Sequence, residues 1–291
     1  MFTAKKLKFI LNYGQDRKDP KEVTLEGFRA TVQAETGGGA GLGQLNAVIY
    51  GVPPEIMNEA STIGNLPLVF QHNTITVFAG DENGTGQIFF GTLTSAYTDT
   101  AGMPEVGFNI IAQTGAIDGL KPVKASSYPG GTDAAIILQN LAKAMGYRFE
   151  NNGVSVMLYD QYLSGTARSQ ALQVVVNAGI EWNGCDNGVL AIWNRGGHRG
   201  KAGDEILINV ETGMKGSPTA TSNGATVQVL FNPNIEFGAL VKIESIIQKA
   251  NGIWRVGIMS HSLSSEVPGG EFFTTLYCTS PYILAMPSKT P

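Results

Sequence analysis

Charge is the first thing this sequence lacks. Only 15% of its 291 residues are Asp, Glu, Lys or Arg, and the formal net charge is −4; an average soluble domain has about 25% charged residues. Tight binding of nucleic acid needs clustered Lys and Arg side chains that neutralise phosphates. The composition therefore argues against a protein that grips DNA or RNA, and it favours a surface that contacts other protein subunits.

Cysteine and long apolar runs are also scarce. Cys185 and Cys278 are isolated, without the C-x-x-C spacing or the density of a disulfide scaffold, which indicates a reducing compartment. The N-terminal sequence has only the short apolar run Phe9-Ile10-Leu11 and lacks a signal-peptide core. No run approaches the roughly 18 apolar residues of a membrane helix. We expect a protein made and folded in the cytosol, without membrane insertion.

Motifs for catalysis and for metal binding are missing as well. His72, His198 and His261 are far apart and none has a second ligand at helical spacing. No G-x-S-x-G elbow presents a serine nucleophile. We therefore expect no catalytic residue, no cofactor and no metal.

One carboxylate still fits an enzyme hypothesis. A glycosidase needs acidic residues across a cleft, and Glu181 stands beside Trp182, an aromatic residue of the kind that stacks on sugars. An internal repeat places Arg148 at the same position in its first copy, so we interpret Glu181 as a solvated strand residue. Trp182 corresponds to Phe149 and is predicted to be core.

Glycine, in contrast, is abundant, with 37 residues. The stretch GGGAGLG resembles a phosphate loop, but the sequence after it is strand-like, and it fits neither G-x-G-x-x-G nor the Walker pattern. We interpret it as a flexible connection between strands that orders against a neighbouring subunit. The predicted contact residues are Gly38, Gly39 and Gly41.

A second glycine-rich loop, NRGGHRGKAGDE, carries the compact basic patch of the sequence. Four cations without interleaved aromatic residues are usually a solvated connector. Contact with a phosphate or with another subunit is the alternative, and its candidate residues are Arg195, His198 and Arg199.

Strand-like segments dominate both ends of the chain. Before Gln113, runs such as KLKFIL, EVTLEGFRATVQAE and GQIFFGTLTSAYT are rich in β-branched and aromatic residues and are separated by Gly, Asn and Asp turns. A second β region begins at Ile206. Its segment GIWRVGIM, from Gly252, echoes GQIFFGTL, from Gly86, which suggests two similar units.

An internal repeat lies between the two β regions. The stretches GTDAAIILQNLAKAMGYRFENNG and GTARSQALQVVVNAGIEWNGCDNG are each followed by an apolar strand, and both are predicted to form a helix and then a hairpin. Thr132 and Thr166 are the predicted N-caps, and Gly146 and Gly179 the predicted left-handed C-terminal positions.

The predicted fold is therefore mainly β with an α+β insert: two antiparallel β-barrels flanking a pair of helix-hairpin modules. The predicted limits are 1–118 for the first barrel, 119–205 for the modules and 206–291 for the second barrel.

The last region also carries a family pattern. A strand ends in Leu-x-Asn-Pro, a Gly precedes a Val-x-Ile strand, and a Gly-aromatic hairpin leads to a strand that ends in His. The residues are Leu230, Asn232, Pro233, Gly238, Val241, Ile243, Gly252, Trp254, Val256 and His261. This pattern resembles the final domain of baseplate hub proteins of contractile-tailed bacteriophages, the late control protein D-like proteins.

The resemblance implies that both barrels are tail-tube-like. It implies a homotrimer whose pseudo-sixfold ring joins the hexameric tail tube to the trimeric central spike and continues the DNA channel. The implied partners are the tail tube protein, the central spike protein and other baseplate proteins. The tape measure protein and DNA would pass through the lumen without specific binding. The expected location is the tail baseplate of the virion, after assembly in the host cytoplasm.

Two alternatives stay open. One is a tail-tip cell-wall hydrolase that acts through Glu181. The other is a hub-like adaptor of a non-contractile tail or of a secretion system. The chain shows no spike, lysozyme or peptidase segment after Ser280, so we expect piercing and wall digestion to belong to partners.

Overall fold

The computed structural model of the chain describes residues 4–14, 21–39, 41–62, 73–82, 84–201, 203–222 and 224–280. His72 lies outside these ranges. The first β region begins with alternating apolar strands, for example Lys6–Tyr13, whose alternate residues are buried. Its elements are β1 (Lys6–Tyr13), β2 (Lys21–Glu26), β3 (Ala30–Glu35), β4 (Gln44–Tyr50), α1 (Pro54–Ala60), β5 (Thr74–Asp81), β6 (Gly84–Asp99) and β7 (Gly107–Gln113).

The middle of the chain holds longer helices and short strands. Its elements are α2 (Ala116–Leu120), β8 (Ser126–Asp133), α3 (Ala134–Met145), β9 (Arg148–Asn152), β10 (Met157–Leu163), α4 (Ala167–Ala178), β11 (Ile180–Trp182) and β12 (Val189–Asn194). The second β region follows. It contains β13 (Ile206–Ile208), β14 (Met214–Ala220), β15 (Gly224–Leu230), β16 (Leu240–Ile243), β17 (Gly252–Ser265) and β18 (Phe272–Thr279).

The two β regions form one sheet. Its strand order is β14-β15-β18-β17-β3-β4-β7-β6-β5-β1-β2, and β16 and β13 extend it beside β17. The joint is the antiparallel pair of β3 with β17, in which Ala30 faces Ser265 and Glu35 faces Ser260. The mainly β fold class is confirmed, and this joint between distant strands is an addition that the sequence did not predict.

The described residues form three large hydrophobic cores and a small fourth cluster around Trp193. The first collects the inward residues of β1 to β7, and it also receives Leu263 of β17 and Phe272 of β18. The second lies under α3 and α4 and includes Trp182, as predicted. The third lies inside the second β region, around Val241 and Leu276. The predicted domain limits, 1–118, 119–205 and 206–291, stay a prediction.

The middle repeat is confirmed in its helices and in most of its caps. Gly146 and Gly179 have left-handed conformations after α3 and α4, and the Thr166 side chain accepts the N–H of Ser169. The N-cap prediction for Thr132 is wrong. Asp133 caps α3 instead, because its carboxylate accepts the N–H of Ala135 at 2.8 Å.

The strands of the repeat pair differently from the prediction. β11 and β12 form the expected antiparallel pair. In the first module, however, β10 pairs with β8, and β9 pairs in parallel with β12 of the second module. The first helix-hairpin prediction is therefore wrong in its pairing. The two modules interlock through β9 and share one core.

Within the described ranges, none of the helices has the length and apolar character needed to cross a bilayer.

Candidate functional site

The glycine-rich stretch connects β3 to β4 and lies where the first β region meets the middle of the chain. The N–H of Gly38 points at Oδ2 of Asp186 at 3.4 Å. The N–H of Gly43 donates to Oγ1 of Thr114 at 2.7 Å, and that hydroxyl donates to Oδ1 of Asp186 at 3.2 Å. The loop therefore surrounds an anion with donors, but the anion is a carboxylate of the same chain.

Close backbone contacts explain why glycine occurs on both sides of this junction. A Cβ on Gly184 would lie 2.4 Å from the carbonyl oxygen of Gly39, and Gly184 has a φ of +71°. A Cβ on Gly38 would lie 2.5 Å from Cε2 of Phe237 in the second β region. One loop thus touches all three parts of the chain, and side chains larger than hydrogen are excluded at its contacts.

Arg168, the second residue of α4, fastens the junction. Its guanidinium donates to the carbonyl of Gly41 at 2.8 Å and to the carbonyl of Gly184. It also lies 5.5 Å from the ring centre of Trp182, within the range of a cation–π contact. The observed contacts of Gly38, Gly39 and Gly41 are therefore made inside the chain. Their contact with another subunit stays a prediction.

The carboxyl of Asp186 is buried. Burial raises its pKa to about 6, because the charged form loses hydration, while the glycine amides, Thr114 and Arg168 favour the charged form and act in the opposite direction. A titratable group therefore lies at the point where the loop, α4 and β7 converge.

A second junction joins the middle of the chain to β17. Arg255 donates to Oε2 of Glu181 at 2.7 Å and to the carbonyl of Gly197 at 2.7 Å. The indole N–H of Trp193 donates to the same carboxylate oxygen at 3.0 Å. The interpretation of Glu181 as a solvated strand residue is wrong, because this carboxylate holds two units together.

The basic loop is divided between surface and interior. Arg199 is buried, binds both carboxylate oxygens of Glu150 at 2.7–3.1 Å, and lies 3.3 Å from a carboxylate oxygen of Glu236. The solvated-connector interpretation therefore fails for Arg199, since its charge is neutralised between two units. Arg195 is exposed and His198 is half-buried; a role for this loop in subunit contact stays a prediction.

The family-pattern residues lie on turns and strand ends of the second β region. Pro233 approaches β6 so closely that a Cβ on Gly86 would lie 2.3 Å from the Cβ of Pro233, and Oδ1 of Asn232 accepts the N–H of Asn234 at 3.0 Å. Gly238 has a φ of +84°, and a Cβ there would lie 2.7 Å from the ring of Trp193. These residues make the turn that docks the second β region on the other two units.

The remaining pattern residues stabilise the hairpin β16–β17. Gly252 lies opposite Ile243 with a φ of +131°, and the indole of Trp254 donates to the carbonyl of Ala250 at 2.8 Å. His261 is buried, and its Nδ1 lies 2.9 Å from Oγ1 of Thr274. Leu230 is half exposed, at 51%, on the outward face of β15. The described residues contain no cluster of His, Cys, Asp and Glu that could hold a metal.

The outward face of the sheet carries little charge around the β3–β17 joint, in β7, β4, β3, β17 and β18. Cross-strand partners point to the same side, and one row runs through Ile111, Asn46, Gln33, Ser262 and Phe273. The neighbouring rows of β7, β4, β3, β17 and β18 add mostly Asn, Gln, Ser and Thr. In these five described strands, the one carboxylate is Glu35.

Part of this face forms a shallow depression. Its volume is about 310 Å³, and its walls come from β3, β4, β6 and β7. It has no paired carboxylates and therefore lacks the arrangement that glycoside hydrolysis requires.

This architecture, two β units sharing a sheet and fastened to an α+β insert, is that of phage tail proteins. A Shewanella oneidensis prophage MuSo2 43 kDa tail protein has 11% identity and a TM-score of 0.60, with 96% of this chain and 100% of that chain covered. A Neisseria meningitidis tail protein has 8% identity and a TM-score of 0.63, with 96% and 98% covered.

A protein of a secretion system has the same fold. The E. coli c3393 protein, described as a type VI secretion component structurally similar to the T4 tail proteins gp27 and gp5, has 9% identity and a TM-score of 0.55 over 87% of this chain and 73% of that chain. No curated protein matches the sequence significantly. The family model for baseplate hub gp41 matches residues 60–278, and the chain belongs to that family.

Proposed function

We propose that three copies of this chain form the hub ring of a tail baseplate, with pseudo-sixfold symmetry, between the hexameric tail tube and the trimeric central spike. The observation that carries the proposal is the β3–β17 joint, since it unites two β units with separate cores into one sheet. A chain with two such units, repeated three times around an axis, presents six β units to a hexamer and three whole chains to a trimer.

The composition of the outward sheet face suggests where the DNA channel of the ring would lie. A wall that lets DNA pass must not hold phosphates. A face of mostly Asn, Gln, Ser and Thr, with Lys215 over Phe273 at its edge, offers little counterion release. Glu35 adds a negative charge, which repels phosphate. We infer that this face lines the lumen through which DNA and the tape measure protein move without specific binding.

The contacts within each chain support rigidity in this role. Arg168, Arg199 and Arg255 each bridge two units, and a hub that transmits force between tube and spike requires such fixed units. The same contacts speak against the hydrolase alternative, because Glu181 is bonded to Arg255 and Trp193 and is therefore not placed as a general acid.

The experiment has two parts. The mass of the purified chain in solution, and its detection in purified tails, test the hub assignment: we expect a trimer, or a monomer that becomes trimeric with the spike, and a stoichiometric tail component. A stable monomer that is absent from tails would refute the proposal.

The adaptor alternative rests on the similarity to the secretion-system protein. An image of the assembled particle tests both forms of this alternative, because a non-contractile tail has no sheath around its tube and a secretion apparatus has no DNA-filled head. For the hydrolase alternative, clearing of a peptidoglycan gel by the wild-type chain, lost in Glu181→Gln, would overturn our assignment; we expect no clearing.

A further inference from the structure

The carboxyl of Asp186 is a buried ionisable group whose presence the proposed hub function does not explain. Oδ2 accepts the N–H of Gly38, and Oδ1 accepts the hydroxyl of Thr114. Gly43 packs so closely that a Cβ there would lie 2.8 Å from Oδ1. The carboxyl is therefore in direct contact with the β3–β4 loop, and any change in its charge acts on that loop.

Two arginines belong to the surroundings of this carboxyl. Arg168 donates to the carbonyls of Gly41 and Gly184, on the two sides of the junction. Arg199 lines the same small cavity as Asp186, of about 50 Å³, but its guanidinium is engaged by Glu150 and Glu236. The ion pairs of Arg199 are thus made with Glu150 and Glu236, while the positive charge of Arg168 favours the charged form of Asp186.

The other titratable groups near the junction keep one protonation state between pH 5 and 8 or lie at the rim. Burial raises the pKa of the Cys185 thiol to about 12 and lowers that of His261 to about 4. Burial and the neighbouring Asp118 also raise the pKa of Tyr147. The remaining groups are carboxylates. Glu35 and Glu236 are exposed at the rim of the cavity, and Asp118 accepts the hydroxyl of Tyr147 at 2.6 Å.

We propose that Asp186 is a proton-operated latch, which holds the β3–β4 loop against the middle of the chain more firmly in acid than at neutral pH. A protonated carboxyl is tolerated in a dry, close-packed site, whereas a carboxylate there loses its hydration. Opening of the loop restores water to the carboxylate. The latch acts within one chain, so it does not depend on ring assembly.

The direction of the pH effect on the loop follows from the pKa of Asp186. Burial raises the pKa of Asp186 from its ordinary value of 3.8 to about 6 in the closed state. The stabilisation of the closed loop is therefore complete below the ordinary value and is lost as the pH rises through about 6. If the open loop has the ordinary value, the ratio of closed to open loop falls about tenfold between pH 5 and pH 8.

Hydrogen exchange of the full chain tests the latch. We expect the protection of the amides in residues 37–39 and 41–43, corrected for intrinsic exchange, to be about tenfold lower at pH 8 than at pH 5. Asp186→Asn, which keeps the shape but cannot ionise, should show equal protection at both pH values. The control Glu35→Gln, which removes an exposed carboxylate at the start of the same loop, should keep the wild-type change.

A second variant tests the latch even if Asp186→Asn does not fold. Thr114→Val removes a hydrogen bond that favours the carboxylate, so the midpoint of the protection change should move to higher pH. Equal wild-type protection at pH 5 and pH 8, an unchanged pH dependence in Asp186→Asn, or a midpoint unmoved in Thr114→Val would each overturn the latch.

Discussion

Single residues decide how the three parts of this chain hold together. Glu181 illustrates the limit of sequence reasoning: beside a tryptophan it suggests catalysis, and opposite Arg148 in the repeat it suggests a solvated surface. Its actual partner, Arg255, is 74 positions away, and nothing local in the sequence indicates such a distant pair. Asp186, Thr114 and Arg168 were missed for the same reason.

Loss of the Glu181–Arg255 pair should cost stability. Glu181→Ala leaves a buried guanidinium with fewer acceptors, and we expect a loss of about 2–4 kcal/mol in the free energy of unfolding. A double-mutant cycle with Arg255→Ala, followed by chemical denaturation, measures the coupling. Glu244→Ala is the control, because its partner Lys242 is exposed, and it should cost about 1 kcal/mol or less. If the losses in unfolding free energy of the two single variants simply add up in the double variant, Glu181 and Arg255 do not interact.

Gly184 should tolerate no side chain. Alanine there places a Cβ against the carbonyl of Gly39 and in a left-handed conformation, which should cost about 2–4 kcal/mol. Gly146 has a similar φ of +76° but no atom within 4 Å of the built Cβ. Gly146→Ala should therefore cost only about 1–2 kcal/mol. Thermal or urea unfolding measures both, and equal losses would show that close contact has no part in the effect.

Because His261 is buried, we expect the free energy of unfolding of the chain to fall in acid. Burial lowers its pKa from 6.5 to about 4, so the folded state prefers the neutral ring. Its contribution is present above pH 6.5 and is lost as the pH falls towards 4, by at most about 3 kcal/mol. His261→Gln should flatten this decline in unfolding experiments between pH 7 and 4. A variant that declines as steeply as wild type would refute the assignment.

At the scale of elements, local sequence patterns predict the helices and most of their caps, but they do not predict which distant strands pair. The helices and their glycine caps follow from patterns within about twelve residues, and Thr166 caps α4 as predicted. The Thr132 prediction missed by one position because Asp133 is the stronger acceptor. The pairing of β9 with β12, and of β3 with β17, depends on contacts across the chain that periodicity does not encode.

The β3–β17 joint offers a sharp test. Amides of β17 alternate between its two neighbours: Met259 bonds to Thr36 after β3, whereas Ser264 bonds to Glu271 before β18. Leu263, opposite Val32, therefore donates towards β3, and Leu263→Pro removes a ladder hydrogen bond of the joint and should cost about 3 kcal/mol or more. Hydrogen exchange should show lost protection in β3. Ser262→Thr, on the outward face, should leave both unchanged. Normal protection of β3 in the proline variant would mean that the two β units are independent.

At the scale of the whole molecule, the structure shows where a surface with little charge lies. The scarcity of charge seen in the composition is found on the outward face of β7, β4, β3, β17 and β18, which carries mostly Asn, Gln, Ser and Thr. Composition predicts a protein that does not grip nucleic acid and whose surface contacts other subunits. Which face carries little charge depended on strand register, which the sequence alone did not give.

Positive charge on this face should impede DNA passage without unfolding the chain. Gln33 and Ser262 are cross-strand neighbours, and lysine at both positions adds cations to the inferred wall. We expect assembled particles with slower DNA release and lower infectivity, while the double threonine variant behaves as wild type. Unaltered release from the lysine variant would remove this face from the lumen.

The symmetry of the assembled ring tests the proposed hub function most directly. A reconstruction of the hub by electron microscopy should show three copies of this chain, with six β units around one axis and the Gln33 and Ser262 face towards the lumen. A ring with another number of chains, or one whose lumen is lined by the helices α3 and α4, would contradict it.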